Sequence, residues 1–134
     1  MQLPEMRDYD EIKSQLELKV PEFYNFGFDV IEKRAIEQDK TAFIAVDGPG
    51  ESIKHYAFSD LDLASNQFAN ALLSTDTQKG DFAFVMLPRI PEWYFIMIGC
   101  CKLGVVTMPG TNLLTAKDIE YRINISKAKL VIVN

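Results

Sequence analysis

This 134-residue sequence is poor in the residues that most catalytic and metal sites need: it has one histidine, one tryptophan and two cysteines. It also lacks any Lys/Arg run longer than two residues, any low-complexity tract and any internal repeat. Each absence excludes something. With a net charge of -5 and no basic stripe, the chain does not read as a nucleic-acid binder. No apolar run approaches the length of a membrane span. Met1 opens a polar, charged segment without an apolar centre, so no signal peptide is expected. Cys100 and Cys101 are adjacent in sequence and point in different directions on a helix, which disfavours a disulfide between them. They also lack the two-residue gap of a zinc or redox motif. Two buried, free thiols point to a reducing compartment, and the expected address is cytoplasmic. The single histidine, His55, sits in a polar stretch and reads as an exposed strand residue, not as a base or metal ligand. No GxGxxG occurs. Residues 99–104, GCCKLG, have the spacing of a phosphate loop, but Val105 and Val106 stand where Lys and Ser/Thr belong and the segment ends a helix.

What is present is concentrated in residues 79–111, KGDFAFVMLPRIPEWYFIMIGCCKLGVVTMPGT. Residues 82–87 are six apolar residues in a row, and 105–108 form a second run broken only by Thr107. Neither alternates polar with apolar, the pattern of strands buried on both faces of a parallel sheet. Between them, 92–103 is apolar nearly all round and predicts a buried crossover helix, with Trp93, Phe95 and Met97 in its core. Pro91 suits its first turn, Glu92 the positive end of its dipole, and Gly104 a left-handed C-terminal position.

The rest of the chain falls into place around that unit. Residues 1–25 read as a lead-in that carries an acidic cluster (Glu5, Asp8, Asp10, Glu11) and one short helix over 8–18, with Ile12 and Leu16 on one face and Pro4 and Pro21 outside it. Residues 26–134 read as one α/β unit. An amphipathic helix is predicted over 27–37. Strands over 41–46 and 52–58 are joined by Asp47, Gly48, Pro49 and Gly50, turn chemistry that predicts an antiparallel hairpin. Ser59 with Asp62 suggests a capping box, followed by a buried stripe of Leu61, Ala64, Phe68 and Leu72. Thr115 with Asp118 repeats the capping signal, with Ile119, Ile123 and Ser126 facing inward. Residues 130–133 form a last apolar strand. The fold class is therefore α/β: a mostly parallel sheet with flanking helices plus an N-terminal β-hairpin. A buried parallel strand needs helices before and after it, so the subdomain is expected to be incomplete, truncated after this strand.

Taken in order, VPEFYNFGFDVIEKRA, the hairpin, FSDLDLASNQFANAL, the 79–111 unit and DIEYRINISKAKLVIV resemble the N-terminal part of the adenylate-forming acyl-CoA synthetases, most closely the medium-chain ones. The resemblance implies a parent ligase that uses ATP, Mg2+ and CoA: a carboxylate attacks the α-phosphate of ATP, and the CoA thiol then displaces AMP. It also implies that the phosphate loop, the adenine and ribose contacts and the catalytic lysine all lie beyond Asn134. No catalytic or metal-binding residue is therefore assigned here, and the chain alone is expected to be inactive, with none of those ligands bound tightly. Propionate, butyrate, medium-chain and aryl acids are equally compatible substrates, and the sequence specifies no oligomer.

Ligands in open α/β sheets sit beyond the carboxyl ends of strands. Two loops qualify, Pro88-Arg89-Ile90 and Pro109-Gly110-Thr111-Asn112. The resemblance places Pro109, Gly110 and Thr111 at the wall of the tunnel that admits the pantetheine arm of CoA, against the simpler reading of a tight turn. Arg89 is read as a local tether, with Glu92 its nearest acid, ahead of a phosphate contact. Two other classes stand beside the ligase reading: a free-standing α/β module binding a small ligand through these loops, and an interaction domain whose last strand accepts a partner by edge addition.

Overall fold

A short helix, α1 (Tyr9–Gln15), opens the region described by the computed structural model, which comprises residues 9–38, 40–48, 50 and 52–134. The helix ends at Gln15, short of the expected 18, and buries nothing; Ile12 and Leu16 are both exposed. An apolar pair without a surface beneath it cannot extend a helix of this length in water. Pro4, Glu5, Asp8 and Pro49 lie outside the described residues.

The helix expected over 27–37 is two pieces, a π-helical turn (Gly27–Glu32) and α2 (Lys33–Glu37). Within it the Lys33 N–H reaches back five residues to the Phe28 carbonyl. Asn25 fixes where the turn begins. Its Oδ1 accepts from Gly27 N–H at 2.9 Å, and its Nδ2 donates to the Cys101 carbonyl at 2.9 Å. A Cβ on Gly27 would stand 2.4 Å from Lys102 Cγ, so this close approach requires glycine.

Strands β1 (Thr41–Asp47) and β2 (Ser52–Ala57) pair antiparallel, as predicted, with Ile44 opposite His55. Ala42 is the extra residue of a bulge between the Thr41/Ala57 and Phe43/Tyr56 pairs. Helix α3 (Phe58–Leu73) begins earlier than Ser59 implies. Its cap is Ala57, whose N–H donates to the Asp60 carboxylate at 2.9 Å. Asp62, the expected capping acid, is occupied elsewhere, accepting from the Lys102 ammonium at 2.6 Å. The buried stripe of α3 is Leu61, Ser65, Ala69 and Leu72, while Ala64 and Phe68 are half-buried. Small residues took the central positions because another helix crosses there at close range.

That helix is α4 (Glu92–Leu103), which connects β3 (Phe82–Met86) to β4 (Val106–Pro109). A Cβ on Gly99 would lie 2.8 Å from the Ser65 carbonyl, so α3 and α4 meet almost backbone to backbone. Gly104 ends α4 at φ +71°, as predicted. Helix α5 (Ala116–Ser126) then leads to β5 (Leu130–Val133), completing a parallel sheet of order β4-β3-β5. The predicted cap of α5 is present: Thr115 N–H donates to Asp118 Oδ2 at 3.0 Å, and Thr115 Oγ1 accepts from Asp118 N–H at 3.4 Å. Ile119, Ile123 and Ser126 are half-buried.

Only the central strand is buried on both faces. Ala83, Phe84 and Val85 have no exposed surface, whereas Val106, Val131 and Val133 are 42%, 50% and 55% exposed. On one face Ala83 and Val85 pack with Leu72, Cys100 and Val105 under α3 and α4. On the other, the register aligns Phe82 and Phe84 with Val106 and Met108, and Phe84 and Met86 with Val131 and Val133. There Gly110 lies against the Phe84 ring and the Leu114 side chain, and α5 covers only part of the sheet. The predicted two-sided burial of 105–108 and 130–133 is thus corrected: both are edge strands with one face largely bare.

Candidate functional site

The loop after β3 turns tightly into α4. Ile90 N–H donates to the Pro88 carbonyl at 2.9 Å and Trp93 N–H to the Ile90 carbonyl at 3.2 Å. Facing this loop is β1, and the two enclose a half-open cavity of about 450 Å³ bounded by residues 43–46, residues 88–91, Trp93 and Tyr94. Phe43, in its lining, stands 4.7 Å from Tyr56 and 4.9 Å from Tyr94 between ring centroids. Arg89 is exposed and has neither ion pair nor hydrogen bond among the described residues, so the expected tether to Glu92 is not formed. The loop closes on its own backbone hydrogen bonds and needs no side-chain tether.

The second loop lies over the other face of the sheet. Gly110 N–H donates to the Val85 carbonyl at 2.8 Å. A Cβ there would meet Phe84 Cζ at 2.7 Å and Leu114 Cδ1 at 3.0 Å. The space that glycine leaves is therefore filled from within by the Phe84 ring. Thr111 and Pro109 are exposed, and Thr111 Oγ1 accepts from Leu113 N–H at 3.3 Å. Pro109, Gly110 and Thr111 do not border the 450 Å³ cavity, so the two candidate loops do not converge on one site.

Other side chains singled out by sequence are structural. His55 is exposed on β2. Cys100 is fully buried, and burial first, then its neighbour Cys101, pushes its thiol up to about 11. Cys101, expected to be buried, is half-buried and donates to Asn25 Oδ1 at 3.7 Å. Among the described residues no three His, Cys, Asp or Glu side chains converge.

The sequence reading missed Lys102. Its side chain is 2% exposed, with Nζ 2.6 Å from Asp62 Oδ1 and 2.7 Å from Asn66 Oδ1, and it lies 5.6 Å from the Phe28 ring centroid. A lysine in an apolar helix reads as a solvated end residue, and only Asp62 and Asn66, four apart on the facing helix, signal a buried partner.

The family described as AMP-binding enzyme matches residues 31–134. The chain is 39% identical over 132 residues to the mitochondrial acyl-coenzyme A synthetase ACSM3 of Mus musculus, covering 93% of this chain and 23% of that protein. Against ACSM5 of Mus musculus it is 38% identical over 120 residues, covering 84% and 21%. The crystal structure of a Brucella canis acyl-CoA synthetase superposes with a TM-score of 0.78 at 25% identity, over 96% of this chain and 23% of that one. The inhibitor-bound N-terminal domain of FACL13 from Mycobacterium tuberculosis shares the fold, with a TM-score of 0.70 at 23% identity over 83% of this chain and 27% of that one. The chain spans less than a quarter of the length of these curated relatives. No described helix is long and apolar enough to cross a membrane. By its family match and its parallel βαβαβ sheet, the chain belongs to the AMP-binding enzyme family.

Proposed function

We propose that this chain is the N-terminal scaffold of an AMP-forming acyl-CoA ligase. The parent enzyme joins a carboxylic acid to ATP as an acyl-adenylate, releasing pyrophosphate, and CoA thiol then displaces AMP. The adenylate is needed because a carboxylate has no usable leaving group. The observation that carries this reading is the family match over residues 31–134 together with 39% identity to a curated acyl-coenzyme A synthetase. ATP is expected to engage the rest of that enzyme, because this sequence contains no phosphate loop. The test is CoA-thioester formation by the product of the full reading frame with ATP and a panel of short, medium-chain and aryl acids. Activity that requires ATP and one of these acids supports the reading; a frame that encodes no phosphate loop overturns it. The 134-residue chain assayed alone is expected to be inactive.

Within that reading, Pro109, Gly110 and Thr111 border the path of the CoA pantetheine arm. Their position at and just beyond the carboxyl end of β4 supports this. In the full-length enzyme, Thr111→Phe is expected to raise the KM for CoA while leaving acid-dependent pyrophosphate exchange unchanged. Equal loss of both would remove the loop from the CoA path. A cytoplasmic address rests on the two free thiols; the curated relatives named above are mitochondrial, and cell fractionation decides between the two.

A further inference from the structure

The described aspartates are held by partners, with one exception. Asp29 accepts from Asn25 N–H, Asp60 from Ala57 N–H, Asp81 from Gln78 N–H and Asp118 from Thr115 N–H. Asp62 is paired with Lys102 and Asp76 with Lys129, and Asp10 is also engaged. Asp47, the last residue of β1, is exposed and forms neither an ion pair nor a side-chain hydrogen bond among the described residues. It is also the only aspartate or asparagine in the sequence that precedes a glycine. That glycine, Gly48, has φ +50°, and its N–H has no acceptor among the described residues. A Cβ built on it would meet no atom beyond its chain neighbours within 4 Å, so the space around the Asp47-Gly48 bond is open.

We propose that Asp47-Gly48 is a site of spontaneous isoaspartate formation in the folded protein. The Gly48 main-chain nitrogen attacks the Asp47 carboxyl carbon: a C–N bond forms, the nitrogen gives up its proton, the C–OH bond breaks and one water leaves. The product is a five-membered succinimide. Water then adds to one of its two ring carbonyls. Addition at the former side-chain carbonyl restores aspartate, and addition at the main-chain carbonyl leaves the chain running through the side-chain carbon. The water lost is regained, so no oxidant or second reactant is needed. Glycine suits the step because no side chain shields its nitrogen, and the Asp47 carboxyl surrenders no partner to reach it. The isoaspartyl form lengthens the main chain by one carbon at the Asp47/Ser52 pair, where the hairpin register ends, so β1 and β2 are expected to fray from that end. This inference is independent of the ligase reading.

The test is incubation of the product of the full reading frame at neutral pH, followed by tryptic release of residues 41–54, which Lys40 and Lys54 delimit. Chromatography separates the isoaspartyl from the aspartyl peptide, and electron-transfer fragmentation and labelling by an isoaspartyl carboxyl methyltransferase identify it. Isoaspartate is expected in this peptide and in no other from residues 1–134. An exposed turn opens at little cost, so its rate should lie within about threefold of that in the urea-unfolded chain. Gly48→Ala is expected to slow it at least about tenfold by placing a methyl beside the attacking nitrogen. Asp47→Glu, which keeps the charge but would need a six-membered ring, should abolish it. In the aged protein, hydrogen exchange is expected to quicken at the β1/β2 pairs nearest the turn. The proposal is overturned if residues 41–54 convert only in urea, if another aspartate of this chain converts first, or if Gly48→Ala converts as fast as the parent. Unchanged exchange in the aged hairpin overturns the fraying.

Discussion

Lys102 is the side chain on which the arrangement of α3, α4 and the π turn depends. Among the described residues its ammonium is hydrogen-bonded by Asp62 and Asn66, and its stem fills the space that Gly27 leaves open. Removing one partner of a buried pair strands the other, so Asp62→Ala is expected to cost about 3 kcal/mol in urea denaturation. Replacing both, as Lys102→Met with Asp62→Leu, should cost less than the two single changes added together. Cys100 provides a second check at this scale. Its thiol titrates from the ordinary 9.0 up to about 11 in the folded chain, so the folded state holds a proton that the unfolded state releases. The stability it contributes is present below pH 9 and declines as pH rises toward 11; Cys100→Ala should flatten that alkaline decline. Asp118 acts in the opposite direction. Hydrogen bonds from Thr115 hold its carboxyl below the usual range, so its contribution is present above the unfolded value and is lost as pH falls through the folded one.

At the level of elements, close contact between α3 and α4 makes Gly99 the most sensitive glycine. Gly99→Ala places a methyl against the Ser65 carbonyl and the Phe68 ring and should destabilise the chain by about 1–3 kcal/mol in the same assay. Thr115→Ala, which removes only the cap of α5, should cost about 1 kcal/mol. The bounds of α4 were legible in sequence, because Pro91, Glu92 and Gly104 mark its ends with local chemistry. So were the hairpin and the Thr115 cap. The start of α3 was not, because Asp62 has two possible partners within the sequence and the one that wins, Lys102, is distant along the chain. The π turn was equally hidden, since it follows from Asn25 reaching the carbonyl of Cys101. The candidate loops follow their strands as expected, except that Pro109 is the last residue of β4, but local sequence carries no record that Gly110 is packed by Phe84 or that β1 faces Arg89.

For the whole molecule, the sheet is finished on one face and open on the other. A parallel sheet is stable when both faces are covered, and here Val106, Val131 and Val133 remain in water beside Phe82. The 134-residue chain is therefore expected to self-associate with rising concentration in sedimentation velocity, and Val131→Lys with Val133→Lys should restore a monomer. Sequence suggested full burial because apolar runs do not distinguish a central strand from an edge whose cover is missing; that depends on neighbours the run itself does not encode. The strand order adds a consequence in time. During synthesis β3 emerges with both edges free, gains β4 as soon as α4 has folded across, and waits for its other neighbour until residues 130–133 appear. The most deeply buried strand of the finished protein thus passes through an interval as an open template on the ribosome, when a chaperone has its best opportunity to bind it.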